Sequence, residues 1–167
     1  MAATYEKIAT TTLTSTAATI TLSSIPATYT DLILVVNIGV DVTGSMQIRL
    51  NGDTGSNYST LTLIAYNNTV TGSAVYGPQS FMYANVASGL PTTLGSASAV
   101  MQFNNYSNST TYKTMLARYA NVSIPEVDTT VSTWRNTAAI TSINLFSYSG
   151  SVYLVGTRVT LYGIKAA

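Results

Sequence analysis

Catalysis needs side chains that move protons, attack carbon or hold ions, and this sequence carries few of them. It has no histidine and no cysteine, which removes the commonest general base, thiolate nucleophiles, disulfides and thiolate metal sites together. Six acids remain: Glu6, Asp31, Asp41, Asp53, Glu126 and Asp128. Glu126 and Asp128 stand two positions apart, so an extended backbone would put both on one face, as in the carboxylate pair of a glycoside hydrolase. Pro125 and Thr129 beside them argue for a solvated connector over residues 122–130. Serines are abundant, but neither a histidine nor a suitably placed lysine is there to activate one. Neither Gly-x-Ser-x-Gly nor a phosphate-cradling glycine loop occurs. The expectation is a protein that is not an enzyme and takes no cofactor.

Two further patterns suggest binding. Asn51, Asp53, Gly55 and Asn57 set oxygen ligands at alternate positions, as a calcium loop does, but position twelve is Thr62 and not the bidentate glutamate such a loop requires. The reading is a hydrogen-bonded turn and no metal site. Twelve tyrosines, three phenylalanines and Trp134 supply aromatic surface for a sugar or a protein partner. Tyr106 and Tyr112 flank a polar tract over 104–111 and, with Asn105 and Asn108, form the candidate partner-binding site. Asn57, Asn67, Asn105, Asn108 and Asn121 all open Asn-x-Ser/Thr sequons. In a chain rich in these residues, without the basic start and apolar core of an export signal in residues 1–12, they read as coincidence.

The elements that position these residues are strands. Period-two alternation dominates, and turn formers interrupt it every eight to twelve residues or so, the pattern of an antiparallel β-sandwich in a single domain. Strands are expected over 5–13, 18–22, 31–40, 46–50, 61–66, 70–76, 80–83, 97–103 and 112–119. The stretch 31–40, DLILVVNIGV, is apolar almost throughout and predicts a central strand covered on both faces. In 46–50 the alternation turns Ile48 and Leu50 inward and Gln47 and Arg49 outward. Loops are expected at 51–57 and 88–91, and a long hairpin tip at 104–111. The last stretch, 138–148 and 152–164 around Ser149-Gly150, reads as a hairpin across the middle of a sheet, with Gly156 at a bulge or a close backbone approach.

Composition narrows the partners. Only 8% of the 167 residues are charged, 46% are hydrophobic and the formal net charge is +1. The seven basic residues are scattered along the chain, whereas nucleic-acid binding concentrates them to neutralise several phosphates. The longest apolar run, 32–36, is far below the roughly 20 residues that span a bilayer. No nucleic acid and no membrane is expected as a partner, and synthesis in a cytoplasm is. So weakly charged a surface resists self-association poorly, which suits a subunit of an assembly.

Three segments carry a family resemblance. IATTTLTSTAATITLSSIPATYTDLILVVN near the start, IRLNGDTGSNYS in the middle, and WRNTAAITSINLFSYSG followed by GTRVTLYGIK at the end together resemble small virion proteins of tailed bacteriophages. The turn at Asn51-Gly52-Asp53 and the terminal Leu161-Tyr162-Gly163-Ile164 are the most specific parts, and residues 63–91 match least. The resemblance implies a jelly-roll-like β-sandwich on the virion surface, made in the host cytoplasm and assembled as a homotrimer. Such proteins serve as capsid decoration (cement) proteins or as domains of tail fibres. The first role implies binding to the major capsid protein and stabilising the shell. The second implies a receptor-binding module gripping a host glycan through Tyr106, Tyr112 and the Asn-rich loops. A glycan-degrading enzyme working through Glu126 or Asp128 is the third reading. The family carries no catalytic residues to transfer.

Overall fold

The computed structural model describes residues 4–85 and 89–165; Ser88 of the expected 88–91 loop and residues 1–3 of the N-terminal stretch lie outside them. The described chain is an antiparallel, jelly-roll-like β-sandwich. Its strands are β1 (Tyr5–Thr12), β2 (Thr19–Leu22), β3 (Asp31–Ile38), β4 (Met46–Leu50), β5 (Tyr58–Tyr66), β6 (Thr69–Gln79), β7 (Met82–Tyr83), β8 (Ala97–Phe103), β9 (Lys113–Asn121), β10 (Glu126–Trp134), β11 (Ile143–Ser147) and β12 (Arg158–Ile164). The larger sheet runs β1-β12-β3-β8-β9-β10-β5-β6 and the smaller β2-β11-β4-β7. Among the described residues no helix is long and apolar enough to cross a membrane.

The chain crosses repeatedly between the layers, and strands of both sheets bury an apolar face against one core. Leu32, Leu34, Val36 and Ile38 of β3, and Ala97, Ala99, Met101 and Phe103 of β8, face Ile20, Ile48, Leu50, Ile143 and Leu145 of the smaller sheet in one core. Val36 and Ile38 of β3 lie opposite alanines on β8, while Leu34 lies opposite Met101 and Leu32 opposite Phe103.

Five expectations are corrected. The solvated connector expected over 122–130 is confined to an exposed turn at 122–125: from Glu126 onward the residues are β10, paired with β9 on one side and β5 on the other. The last two strands form no hairpin, because β11 lies between β2 and β4 while β12 lies between β1 and β3. The segment between them changes sheet through a 3-10 turn at Tyr148–Gly150 and a second turn in which Gly156 takes φ +88°. A Cβ on Gly156 would meet the Leu94 side chain at 2.6 Å, so the close approach there is to a side chain. Strand β3 is central but covered on one face only, with Val35 38% exposed on the other. Gln47, expected outward, is buried, while Ile48 and Leu50 point inward as the alternation requires.

A tighter approach lies at Gly163, again to a side chain. A Cβ there would fall 2.3 Å from the Tyr29 ring, which closes the end of the sandwich where Glu6 accepts hydrogen bonds from Lys165 Nζ (2.9 Å) and the Tyr29 hydroxyl (3.1 Å).

Candidate functional site

The carboxylates with the spacing of a catalytic pair sit inside the sandwich. Glu126 and Asp128 share the inner face of β10, as period two requires, and both are buried. Asp128 is opposite Ile64 on β5 and Tyr119 on β9, and burial pushes the Tyr119 hydroxyl well above its ordinary pKa, with the Glu126 charge adding to the effect. The Tyr119 hydroxyl donates to the Gly89 carbonyl at 3.0 Å, tying the loop before β8 onto this face. Glu126 alone borders an opening, a shallow depression of about 620 Å³ between the β5–β6 and β9–β10 turns, walled by Tyr66, Val70, Val122 and Val127.

The inner faces of β5 and β10 carry hydroxyls where a sandwich ordinarily places hydrocarbon. Thr62 and Thr130 hydrogen-bond through their hydroxyls at 3.0 Å, and Thr60 and Ser132 at 2.8 Å. The second pair also grips β7, since Tyr83 N donates to Thr60 Oγ1 and Ser132 Oγ donates to the Tyr83 carbonyl. Large aromatics set this parity. Tyr58 and Trp134 stack at 6.2 Å, both buried, and a strand that turns them inward must turn every second residue inward with them.

The opposite parity therefore reaches solvent. On the outer face Leu61 is 58% exposed, Leu63 56%, Val127 53% and Val131 48%. Register aligns Leu61, Val131 and Leu116 in one row across three strands, and Leu63, Thr129 and Arg118 in the next. The row continues to Val100 and Val35 on β8 and β3. This aliphatic face is the feature the sequence reading missed. Its signal was present, because Thr60-Leu61-Thr62-Leu63 and Val127 to Val131 alternate cleanly. Alternation alone does not say which set faces the core.

The expected aromatic site divides. Tyr106 is fully buried and cannot serve as a binding platform; its hydroxyl donates to the Pro26 carbonyl and accepts from Tyr29 N, anchoring the loop before β3. Tyr112 is 58% exposed. Asn105 takes φ +50° and donates its backbone N–H to Asp31 Oδ1 at 2.7 Å. Asn108 Oδ1 accepts the backbone N–H groups of Thr110 and Thr111, so its side chain shapes the tip. Lys113, at the base of the tip, is buried and donates to the carbonyls of Thr111 and Thr137.

In the 51–57 loop the side chains of Asn51, Asp53 and Asn57 are occupied by the protein itself. Asp53 Oδ2 accepts from Trp134 Nε1 (2.7 Å) and Asn57 Nδ2 (2.9 Å), and Oδ1 from Gly55 N (2.7 Å). Burial pushes this carboxyl up, but the hydrogen bonds from Trp134, Asn57, Gly55 and Asn136 outweigh it and hold the group below its ordinary value. Asn51, at φ +53°, binds the Ala139 carbonyl through Nδ2 and the N–H groups of Thr141 and Ser142 through Oδ1. The loop is thus a clamp between β4 and the segment leading to β11. Among the described residues no three acids, histidines or cysteines come together as a metal site.

No family model and no curated protein matches the chain. Among solved structures, a toad ovary galectin in complex with thio-digalactose aligns over 87% of this chain and 98% of its own, at 10% identity and a TM-score of 0.36. A human SPRY domain aligns over 95% and 99%, at 9% identity and a TM-score of 0.22. Likenesses of this size assign no function, and the architecture stands on the chain's own strand pairings.

Proposed function

We propose that this protein is a non-catalytic structural module of a tailed-bacteriophage particle, a capsid decoration protein that docks on neighbouring protein and stabilises the shell. The observation that carries the reading is the aliphatic outer face of the larger sheet, centred on Leu61, Leu63, Val127 and Val131. Exposed apolar surface of this extent is unfavourable on an isolated molecule and becomes favourable when covered. A ligand that binds only the assembled shell shifts the equilibrium toward it. The sequence resemblance supplies the particle, and the inward-facing Glu126 and Asp128 leave the surface to contact rather than chemistry.

Purified protein added to capsids that lack it should bind in many copies and raise the temperature at which the shell opens. Folded protein that leaves capsids bare would sink the reading. The alternative, a tail-fibre or receptor-binding module for a host glycan, is favoured by the exposure of Tyr112 beside the 104–111 tip. Tyr112→Ala should then abolish adsorption to host cells, and unchanged adsorption would remove that alternative.

A further inference from the structure

We propose that the occupant of the aliphatic face is a second copy of this chain, packed sheet against sheet about a two-fold axis over β5 and β10. The inference rests on the reading of this face as a docking surface, and adds what docks there.

Charge is the first argument. The outward positions of β5 and β10 are Ser, Thr, Ala, Leu and Val throughout and carry no charge. The nearest cation facing the same way on the neighbouring strand is Arg118, opposite Thr129 and Val100, and Arg158 lies farther along the sheet on β12, opposite Asn37. Arg135, at the end of β10, is already bound to Ser59 Oγ and to the carbonyls of Ser56 and Tyr58. An axis through β5 and β10 therefore lays hydrocarbon on hydrocarbon and sends the two Arg118 side chains to opposite ends of the contact. A foreign partner is ordinarily selected by complementary charge, and this half of the face offers none. Identical patches, by contrast, match themselves under a two-fold axis.

Area is the second. Strands β5, β9 and β10 are nine residues each and β6 is eleven. At about 4.8 Å between strands and about 3.3 Å per residue, these four strands span roughly 19 by 30 Å, or close to 600 Å² per copy. Two copies bury about 1,200 Å², which reaches the lower bound for specific, stable interfaces. Aligned sheets pack face to face at about 10 Å with their inner side chains interdigitated, and rows of Leu and Val next to Thr provide the relief for that.

Sedimentation velocity across a dilution series, from high to low micromolar, tests the inference. The chain should sediment as an oligomer at the top of the series and dissociate on dilution. Leu63→Glu and Val127→Glu, both at exposed positions, should be monomeric throughout with unchanged circular dichroism. Because the chain has no cysteine, Leu61→Cys and Val131→Cys provide a second readout that tolerates any failure of the charged variants: a short bis-maleimide should link copies at these sites and not at Thr21→Cys on the other sheet. A monomer at every concentration, or an oligomer that both glutamate variants leave intact, overturns the inference. Capsid binding separates it from the functional reading. Monomeric protein that still binds capsids refutes the second copy alone, whereas an oligomer that leaves capsids bare refutes the decoration role alone.

Discussion

At the scale of single residues, Asp53 shows how one side chain can be read as two different things. Its spacing with Asn51, Gly55 and Asn57 resembles a calcium loop, yet its oxygens are spent on the Trp134 indole, the Asn57 amide and the Gly55 N–H. Because folding lowers this carboxyl below its ordinary value of 3.8, its contribution to stability is present above that value and fades as pH falls through the lower, folded one. Urea midpoints measured by circular dichroism should accordingly drop below about pH 4. Trp134→Phe removes the indole donor, so its midpoint, lower at every pH, should fall less steeply over that window. Parallel slopes in the two proteins would show that the indole hydrogen bond does not set the titration. Gly163 makes a steric counterpart. Alanine there drives a Cβ into the Tyr29 ring, which has Gly163 beneath it and Lys165 Nζ 5.5 Å from its centroid. Gly163→Ala should destabilise by about 1–3 kcal/mol in denaturant titration, and an unchanged midpoint would mean that Tyr29 swings away freely.

At the scale of elements, β5 and β10 are the informative pair. Their inward hydroxyls satisfy one another across the strands, so removing one member leaves the other buried without its partner. Thr130→Val should cost about 1–3 kcal/mol, and the double change Thr62→Val with Thr130→Val should recover most of that loss, since an apolar pair of the same shape leaves nothing unsatisfied. Additive losses in the double-mutant cycle would mean that water already bonds these hydroxyls. The same strands explain why the connector expected over 122–130 stops at Pro125. Pro125 and two acids have the composition of a loop, but Pro125 lies in the turn and β10 begins at the next residue. Burying Glu126 and Asp128 follows from the parity that Trp134 imposes eight and six positions later.

At the scale of the whole molecule, strand order brings distant segments together. β1 pairs with β12 from Tyr5 opposite Ile164 to Thr12 opposite Arg158, and Lys165 N donates to the Thr4 carbonyl. The two ends of the described chain are neighbours, while the β5–β6 turn at Asn67 and Asn68 is exposed and held in positive φ. A circular permutant joined from residue 165 to residue 4 by a short Gly/Ser linker and opened between Asn67 and Asn68 should fold to the same sandwich, because no sheet pairing is cut. Its single tryptophan, Trp134, should emit as in the parent. A red-shifted, solvent-like emission would show that the β5–β6 connection is needed to seat β10.

The sequence by itself determined the all-β class, most strand positions and the shortage of catalytic groups, because period two, turn residues and residue counts are local properties. It also identified the 51–57 loop as a turn and Ile48 and Leu50 as core. Tertiary structure decided which parity of β5 and β10 turns inward, which sheet receives β11 and which β12, and that Tyr106 anchors the core while Tyr112 reaches solvent. Those outcomes depend on partners far along the chain: a clean alternation such as Thr60 to Leu63 is equally compatible with either face. Only the stacking of Tyr58 on Trp134, 76 residues later, selects the one that leaves leucine and valine exposed.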